Sequence, residues 1–341
     1  MSLLQSSNAT PNGDQNTTNG SDRHPENLPE WFMAAIPVYI LLISIFGIVL
    51  NVFILMVFCF HKKACTVAEI YLSNLAAADL FLVACLPFWA AYIIKDYDWP
   101  FNGPMCKLVS LSITTNTYCS IYFLVLISID RFVALVHPLS NTRMRRPKFA
   151  KLGCLLVWVF DFLLSIPMLM YRKLKLDEGN NTLCSFEFPT ETVYLLYEGT
   201  ISLFIFIIPI FIIFFCTYKI VRGLNARLNS QKTEQKATTL VLAVLLAFLI
   251  CWVPFHLVRI VELVLVLKPL AVRTAVDTCR MIFLYLGFFN SVLNPVLYVI
   301  VGKKFRKKAK ELFSQWSPVT LRNDYTSSEV LRSMKTVEVS N

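Results

Sequence analysis

Three observations predict an all-α fold: a seven-transmembrane helix bundle with a short amphipathic membrane-surface eighth helix. Of 341 residues, 56% are hydrophobic and only 16% charged, and mean hydropathy is +0.58. A soluble domain of this size needs more charge on its surface. Seven apolar runs, each long enough to cross a ~30 Å hydrocarbon core, alternate with short polar segments. Those segments also alternate in charge. The odd-side segments (1–30, 95–107, 172–198, 259–280) hold 10 Lys/Arg against 13 Asp/Glu, and the rest of the chain holds 22 against 9. The basic excess marks the cytoplasmic side, so the N-terminus is expected outside. A net charge of +10 then reports topology and contact with anionic lipid, not nucleic acid.

Residues 1–32 are polar, rich in Asn, Thr and Ser, and expected to be an extracellular, glycosylated and disordered segment. Asn8, Asn16 and Asn19 open N-x-Ser/Thr acceptors there, and Asn180 opens another on the same side. The opening MSLLQSSNAT has neither a charged leader nor an apolar core of signal-peptide length. The bundle is expected over 33–302.

The first span runs about Met33 to Phe60, flanked by His61, Lys62 and Lys63. The second runs about Val67 to Ile94 and is kinked by Pro87. The third begins at Cys106 and ends near Pro138. Its ~25 steps from Cys106 to Arg131 span roughly 38 Å as a helix, so one end reaches each interface. Ser112, Thr114, Thr115, Asn116, Thr117 and Ser120 would be costly against lipid, which places this helix inside the bundle. The fourth runs about Phe149 to Met170 with Trp158 and Pro167. The fifth runs about Thr192 to Val221 and is expected to break at Pro209. The sixth runs about Ala237 to Leu267 with Pro254 near its middle, and the seventh about Thr274 to Val301 with Pro295. In 303–316, apolar residues at helical spacing among Lys and Arg suit a helix lying on the inner leaflet. The stretch 317–341 is expected to be a disordered cytoplasmic tail.

Ionisable residues inside the spans call for a partner. Asp79 lies in mid-membrane, with Asn51, Asn116, Ser120, Asn290, Ser291 and Asn294 able to surround it. Asp161 is either buried and protonated against a polar neighbour or an interface feature. Asp130 and Arg131 stand side by side at the inner end of the third span. Six cysteines lie within apolar runs, where a small hydrophobe is the ordinary use.

The motifs, taken in order, resemble the rhodopsin-like (class A) G-protein-coupled receptors from about residue 33 to 313. They are Gly47 and Asn51, the Asn74 to Asp79 run, Cys106, Asp130-Arg131-Phe132, Trp158, Pro209, Cys251-Trp252-Val-Pro254, and Asn294-Pro295-Val-Leu-Tyr298. Phe132 stands where the family usually has Tyr. Within the class, the Thr66 to Leu80 stretch, Leu86-Pro-Phe-Trp89 and Val299 to Arg306 look like the bradykinin (kinin) receptors, with angiotensin and chemokine receptors next.

The resemblance implies a plasma-membrane receptor for a kinin-like peptide, coupled to a heterotrimeric G protein of the Gq class, phospholipase C and calcium release. A receptor for another peptide of the angiotensin or chemokine type is the alternative. It implies a Cys106–Cys184 disulfide. It implies a sodium ion held by Asp79, Ser120, Asn116, Asn290 and Asn294; the alternative is a protonated, hydrogen-bonded Asp79. It makes Asp130, Arg131, Trp252, Pro254, Asn294, Pro295 and Tyr298 the activation switches. The family's tyrosine that meets Arg131 is displaced here, with Thr217 at its place and Tyr218 one residue on. Glu262 and Asp277 match the acidic pair that kinin receptors use for a basic peptide N-terminus, although Glu262 could instead pair with Arg259. Thr114 favours the subtype that binds the intact peptide. Trp89, Tyr118, Phe255, His256 and Tyr285 are the expected aromatic lining, although aromatics at helical spacing are more often plain core. Ser327 and Ser328 are candidate sites for receptor kinases and arrestin. Cys279 lacks the N-terminal partner cysteine usual in nearby peptide receptors, and no cysteine follows it to carry a lipid anchor.

An enzyme is not expected, since HExxH, GxSxG and phosphate-loop motifs are absent. A channel or transporter would need polar lining along several helices or matched discontinuous spans.

Overall fold

The computed structural model describes residues 30–61, 64–136, 146–177, 179–226, 232–264 and 270–315. Asn8, Asn16 and Asn19 and the stretch 317–341 lie outside them.

Among the described residues, seven helices are long and apolar enough to cross a membrane. The first is Glu30–Phe60, the second Val67–Ile94, the third Gly103–Val136 and the fourth Pro147–Tyr171. The sixth is Lys232–Val264, the seventh Leu270–Ile300, and an eighth, Lys303–Gln315, follows. The third is the most enclosed of the seven spans, with 72% of its apolar window buried. It packs on the second, fourth, fifth and sixth helices, which explains why it can carry so many hydroxyls. The fourth is the least enclosed, at 28%. Leu152, Leu155, Leu156, Val159, Phe162 and Leu163 all face outward from it. Such apolar exposure suits a lipid face rather than water. The first helix packs on the second and the seventh and closes the ring.

The fifth span does not break at Pro209. Helical segments Glu191–Ile201 and Ile208–Ala226 are joined by a π-helical stretch, Ser202–Ile207. Proline supplies no N–H, and its ring collides with the carbonyl four residues back. One wider turn just ahead of Pro209 absorbs that collision and lets the helix continue.

The fold also departs from purely helical. Between the fourth and fifth helices lies an antiparallel hairpin, β1 Arg172–Leu176 and β2 Thr182–Phe186. Its sequence, RKLKL and TLCSF, alternates too briefly to stand out. Tertiary contacts fix it. Cys184 of β2 is bonded to Cys106 of the third helix. Trp99 N–H donates to the Thr182 carbonyl at 2.7 Å, and Thr182 N–H donates to the Asp98 carboxylate at 2.8 Å. Asn180 lies exposed on the hairpin turn with a left-handed φ of 66°, a conformation that Asn tolerates well.

At the opposite end, Phe305, Ala309 and Leu312 form the buried stripe of the eighth helix. Phe305 packs against Phe53 and Phe58 of the first helix. Thr66 and Glu69 make a capping box at the start of the second helix. The Glu69 carboxylate also takes Lys308 at 2.9 Å, and His61 meets Glu311 at 2.8 Å.

Candidate functional site

A cavity with about 900 Å³ of empty space opens at the hairpin end of the bundle. Trp89, Thr114, Tyr118, Phe255 and Glu262 line it, all singled out from sequence. His256, Tyr285 and Asp277 do not. His256 is 2% exposed and stacks on Phe206 with ring centroids 5.0 Å apart. It faces the fifth helix, not the cavity. Tyr285 is buried, and its backbone carbonyl accepts the Tyr39 hydroxyl at 2.8 Å. It serves the contact between the first and seventh helices.

The cavity also has a charged wall that sequence reading passed over. Glu198 of the fifth helix pairs with Arg259 of the sixth, through Nε at 3.1 Å and a second guanidinium nitrogen at 2.5 Å. Both side chains are about 85% buried. Arg259 therefore does not pair with Glu262. Glu262 meets Arg280 of the seventh helix at 3.5 Å, and Arg280 reaches Asp277 at 4.0 Å. The hairpin adds Arg172, whose guanidinium lies 4.7 Å above the Phe186 ring. Phe186, Tyr194 and Tyr197 complete an aromatic cap. An ionisable residue inside an apolar span is a functional signal by default. That rule would have flagged Glu198 and Arg259 from sequence.

Beneath the cavity, Trp252 is 1% exposed and rests on Gly287 of the seventh helix. A Cβ on Gly287 would stand 2.9 Å from the indole, so only glycine admits the ring there. Pro254 follows Trp252 within a helix that stays continuous.

Lower still, Asp79 is fully buried and ringed by neutral donors. Asn116 Nδ2 donates to Oδ1 at 2.8 Å, Ser291 Oγ to Oδ1 at 2.9 Å, and Asn294 Nδ2 to Oδ2 at 3.0 Å. Ser120 Oγ, the side-chain oxygens of Asn116 and Asn294, and both side-chain polar atoms of Asn290 are buried without a hydrogen-bond partner among the described residues. Buried polar atoms are normally satisfied. The oxygens of Asn116 and Asn294, on amides that already face the Asp79 carboxylate, are hard donors of the kind a small cation takes.

Asp161 turns out to be buried, 5% exposed, and accepts the Thr115 hydroxyl at 2.9 Å. It joins the fourth helix to the third. Nearby, Trp158 Nε1 donates to the Asn74 side-chain oxygen at 3.0 Å and ties the fourth helix to the second.

At the far end of the third helix, Arg131 donates to the carboxylate of Asp130, and both are largely buried. Tyr298 and Pro295 are buried nearer the seventh helix's end. Tyr218 does not turn toward Arg131. It is 49% exposed, and its hydroxyl accepts from Arg222 at 3.2 Å. The ~100° rotation between successive helical positions carries it outward, leaving Thr217 Oγ1 buried without a hydrogen-bond partner among the described residues. Cys279 is an exposed free thiol.

Comparison with known proteins now bears on this arrangement. The family model described as "7 transmembrane receptor (rhodopsin family)" matches residues 50–298. The B2 bradykinin receptor of Oryctolagus cuniculus is 44% identical over 278 residues, covering 79% of this chain and 76% of that one. The B2 bradykinin receptor of Homo sapiens is 41% identical over 293 residues, covering 83% and 75%. The B1 bradykinin receptor of Macaca mulatta is 36% identical over 332 residues, covering 93% of each. A multi-pass bundle, a Cys106–Cys184 bridge and these likenesses agree with one another, and they describe a receptor class, not an enzyme class. The chain belongs to the rhodopsin-family seven-transmembrane receptors and, within them, to the bradykinin receptors.

Proposed function

We propose that this chain is a plasma-membrane receptor, N-terminus outside, that binds a kinin-type peptide in the hairpin-end cavity. It then activates a Gq-class G protein, with phospholipase C and calcium release downstream. One observation carries this most directly. In a chain of the bradykinin-receptor family, the cavity combines an aromatic floor (Trp89, Tyr118, Phe255) with carboxylates from facing helices at its mouth. Apolar walls with a few oriented charges are what a peptide of mixed aromatic and basic character needs. Glu262 and Asp277 receive the basic peptide head, by steering and charge-assisted hydrogen bonds.

The relay runs down the third, sixth and seventh helices. Ligand pressure reaches Trp252 on its Gly287 seat. The sixth helix then swings at Pro254, whose missing N–H weakens the ladder one turn back. Pro295, with Asn294 and Tyr298, gives the seventh helix the matching freedom. Arg131 leaves Asp130 and meets the G protein. Asp79 and the unpartnered oxygens of Ser120, Asn116, Asn290 and Asn294 would hold sodium, which would supply positive charge that the neutral donors lack. The eighth helix lies on anionic lipid through its basic face. Asn180, exposed on the hairpin turn, carries glycan together with Asn8, Asn16 and Asn19. Tail hydroxyls serve receptor kinases and arrestin.

The test is calcium mobilisation in cells expressing the chain, challenged with bradykinin, its form lacking the C-terminal arginine, and angiotensin. A response to the intact kinin ahead of the other two is expected. A response to angiotensin alone would overturn the ligand, and a calcium response insensitive to blocking Gq-class proteins would overturn the coupling.

A further inference from the structure

The acidic pair at the cavity mouth already holds a guanidinium, and it is the protein's own. Arg280 sits one turn after Asp277 on the seventh helix, and its side chain reaches across to Glu262 on the sixth. Its separations, 3.5 and 4.0 Å, exceed the ~2.7–2.9 Å of a direct charge-assisted hydrogen bond. The neighbouring Arg259–Glu198 pair, at 2.5 and 3.1 Å, is much tighter. The side chains of Arg280, Glu262 and Asp277 keep between 20% and 28% of their exposure, although the Arg280 Nε that makes both contacts is itself buried.

We infer that Arg280 is a tethered stand-in for the ligand's basic head: it occupies the Glu262–Asp277 pair in the free receptor and is displaced when an arginine-headed ligand binds. The inference rests on the peptide-receptor reading above and adds a specificity-determining residue to it. Two consequences follow from charge alone. Arg280 lowers the affinity for cationic heads, because each ligand must first displace a like charge that is covalently present at high effective concentration. Displacement also cuts the ion pair between Glu262 and the seventh helix. This frees the outer half of the sixth helix above Pro254.

The experiment compares wild type with Arg280→Gln in lipid nanodiscs. Competition binding uses an arginine-headed kinin and the same peptide lacking its first residue. The variant should favour the headed peptide by about tenfold relative to the headless one, the scale of one charge-assisted contact. Arg280→Lys, which keeps the charge, should stay near the wild-type ratio. An unchanged ratio in Arg280→Gln, or the same gain in Arg280→Lys, overturns the proposal. If Arg280→Gln fails to fold, Arg280→Met, which keeps much of the stem's bulk, replaces it. If neither peptide binds any receptor, the kinin assignment falls, and arginine amide then decides the role of Arg280. A larger thermal shift with arginine amide in the glutamine variant than in wild type supports the stand-in, and equal shifts refute it.

Discussion

The molecule keeps carboxylates inside its bundle in two different ways. Around the cavity, Glu198 is matched to Arg259, and Glu262 and Asp277 share Arg280. Deeper, Asp79 and Asp161 are matched, among the described residues, to neutral amides and hydroxyls and, for Asp161, to the Cys119 thiol. An acid matched to a cation can exchange that cation for one brought by a ligand. An acid surrounded by neutral dipoles has no cation to exchange. It can only gain a proton or a small ion. On the function proposed above, the upper layer would meet a charged ligand and the lower a proton or a small ion, and the difference lies in the partners rather than in the acids.

The sharpest way to break this contrast is to remove one half of the tightest cavity pair. Arg259→Ala leaves Glu198 buried and uncompensated, which should cost about 3–5 kcal/mol. Thermal denaturation of the purified receptor would show it. The paired change Glu198→Leu with Arg259→Met should recover most of the loss, because well-packed apolar residues often replace a buried ion pair at no cost. A double variant as unstable as Arg259→Ala would mean that the stem of Arg259, not its charge, carries the contribution.

Changing Asp79 to Asn sharpens the other side. One of the three donors facing Asp79 would then meet an N–H, a loss of about 1–3 kcal/mol. The same change removes the only charge in the cluster, so sodium should no longer alter agonist affinity. Radioligand binding with sodium exchanged for a large organic cation reads this directly. Persistent sodium sensitivity would take the ion away from Asp79.

How much of this was legible beforehand follows from the kind of signal each feature leaves. The spans were legible because length and apolarity are local properties. The Cys106–Cys184 bridge, which the family resemblance implied, is present. The neighbours of Asp79 were legible because they recur at helical spacing along three spans. The hairpin was not, since five-residue strands held by a disulfide and by Asp98 owe their shape to partners far away in sequence. The continuation of the fifth helix through Ser202–Ile207 was hidden because proline signals a conflict without saying how the backbone resolves it. His256 was assigned to the cavity on residue type alone, and only packing against Phe206 places it elsewhere. Arg259 was weighed only as a partner of Glu262, whereas it pairs with Glu198, and Arg280 was passed over because attention to acids that a basic ligand would want obscured the base already present to meet them.

Asp161→Asn probes whether neutral donors suffice. The Thr115 hydroxyl donates to one carboxylate oxygen, and an amide oxygen can accept the same bond. The expected change is below about 1 kcal/mol, with ligand affinity unmoved. A large loss in thermal stability would show that Asp161 is held as a charged group, and it would then belong with the cavity acids.

The smallest effect tests whether ion pairing outside the cavity matters at all. Lys308 and Glu69 are buried to about 86–90% at the eighth helix, whereas Lys173 and Glu187 on the hairpin are about half exposed. Exposed pairs contribute little, since solvent screens them and two long side chains must be held still. Lys308→Ala should cost about 1 kcal/mol, because it also strips Glu69 of a partner while leaving its capping bond to Thr66 N–H at 2.8 Å. Lys173→Ala should leave the melting temperature unchanged. Hydrogen exchange over 303–315 adds the readout that separates the causes. Faster exchange in Lys308→Ala alone means that the ion pair holds the eighth helix. Unchanged exchange means that the Phe305, Ala309 and Leu312 stripe suffices, and charge pairing would then matter only where a ligand can compete for it.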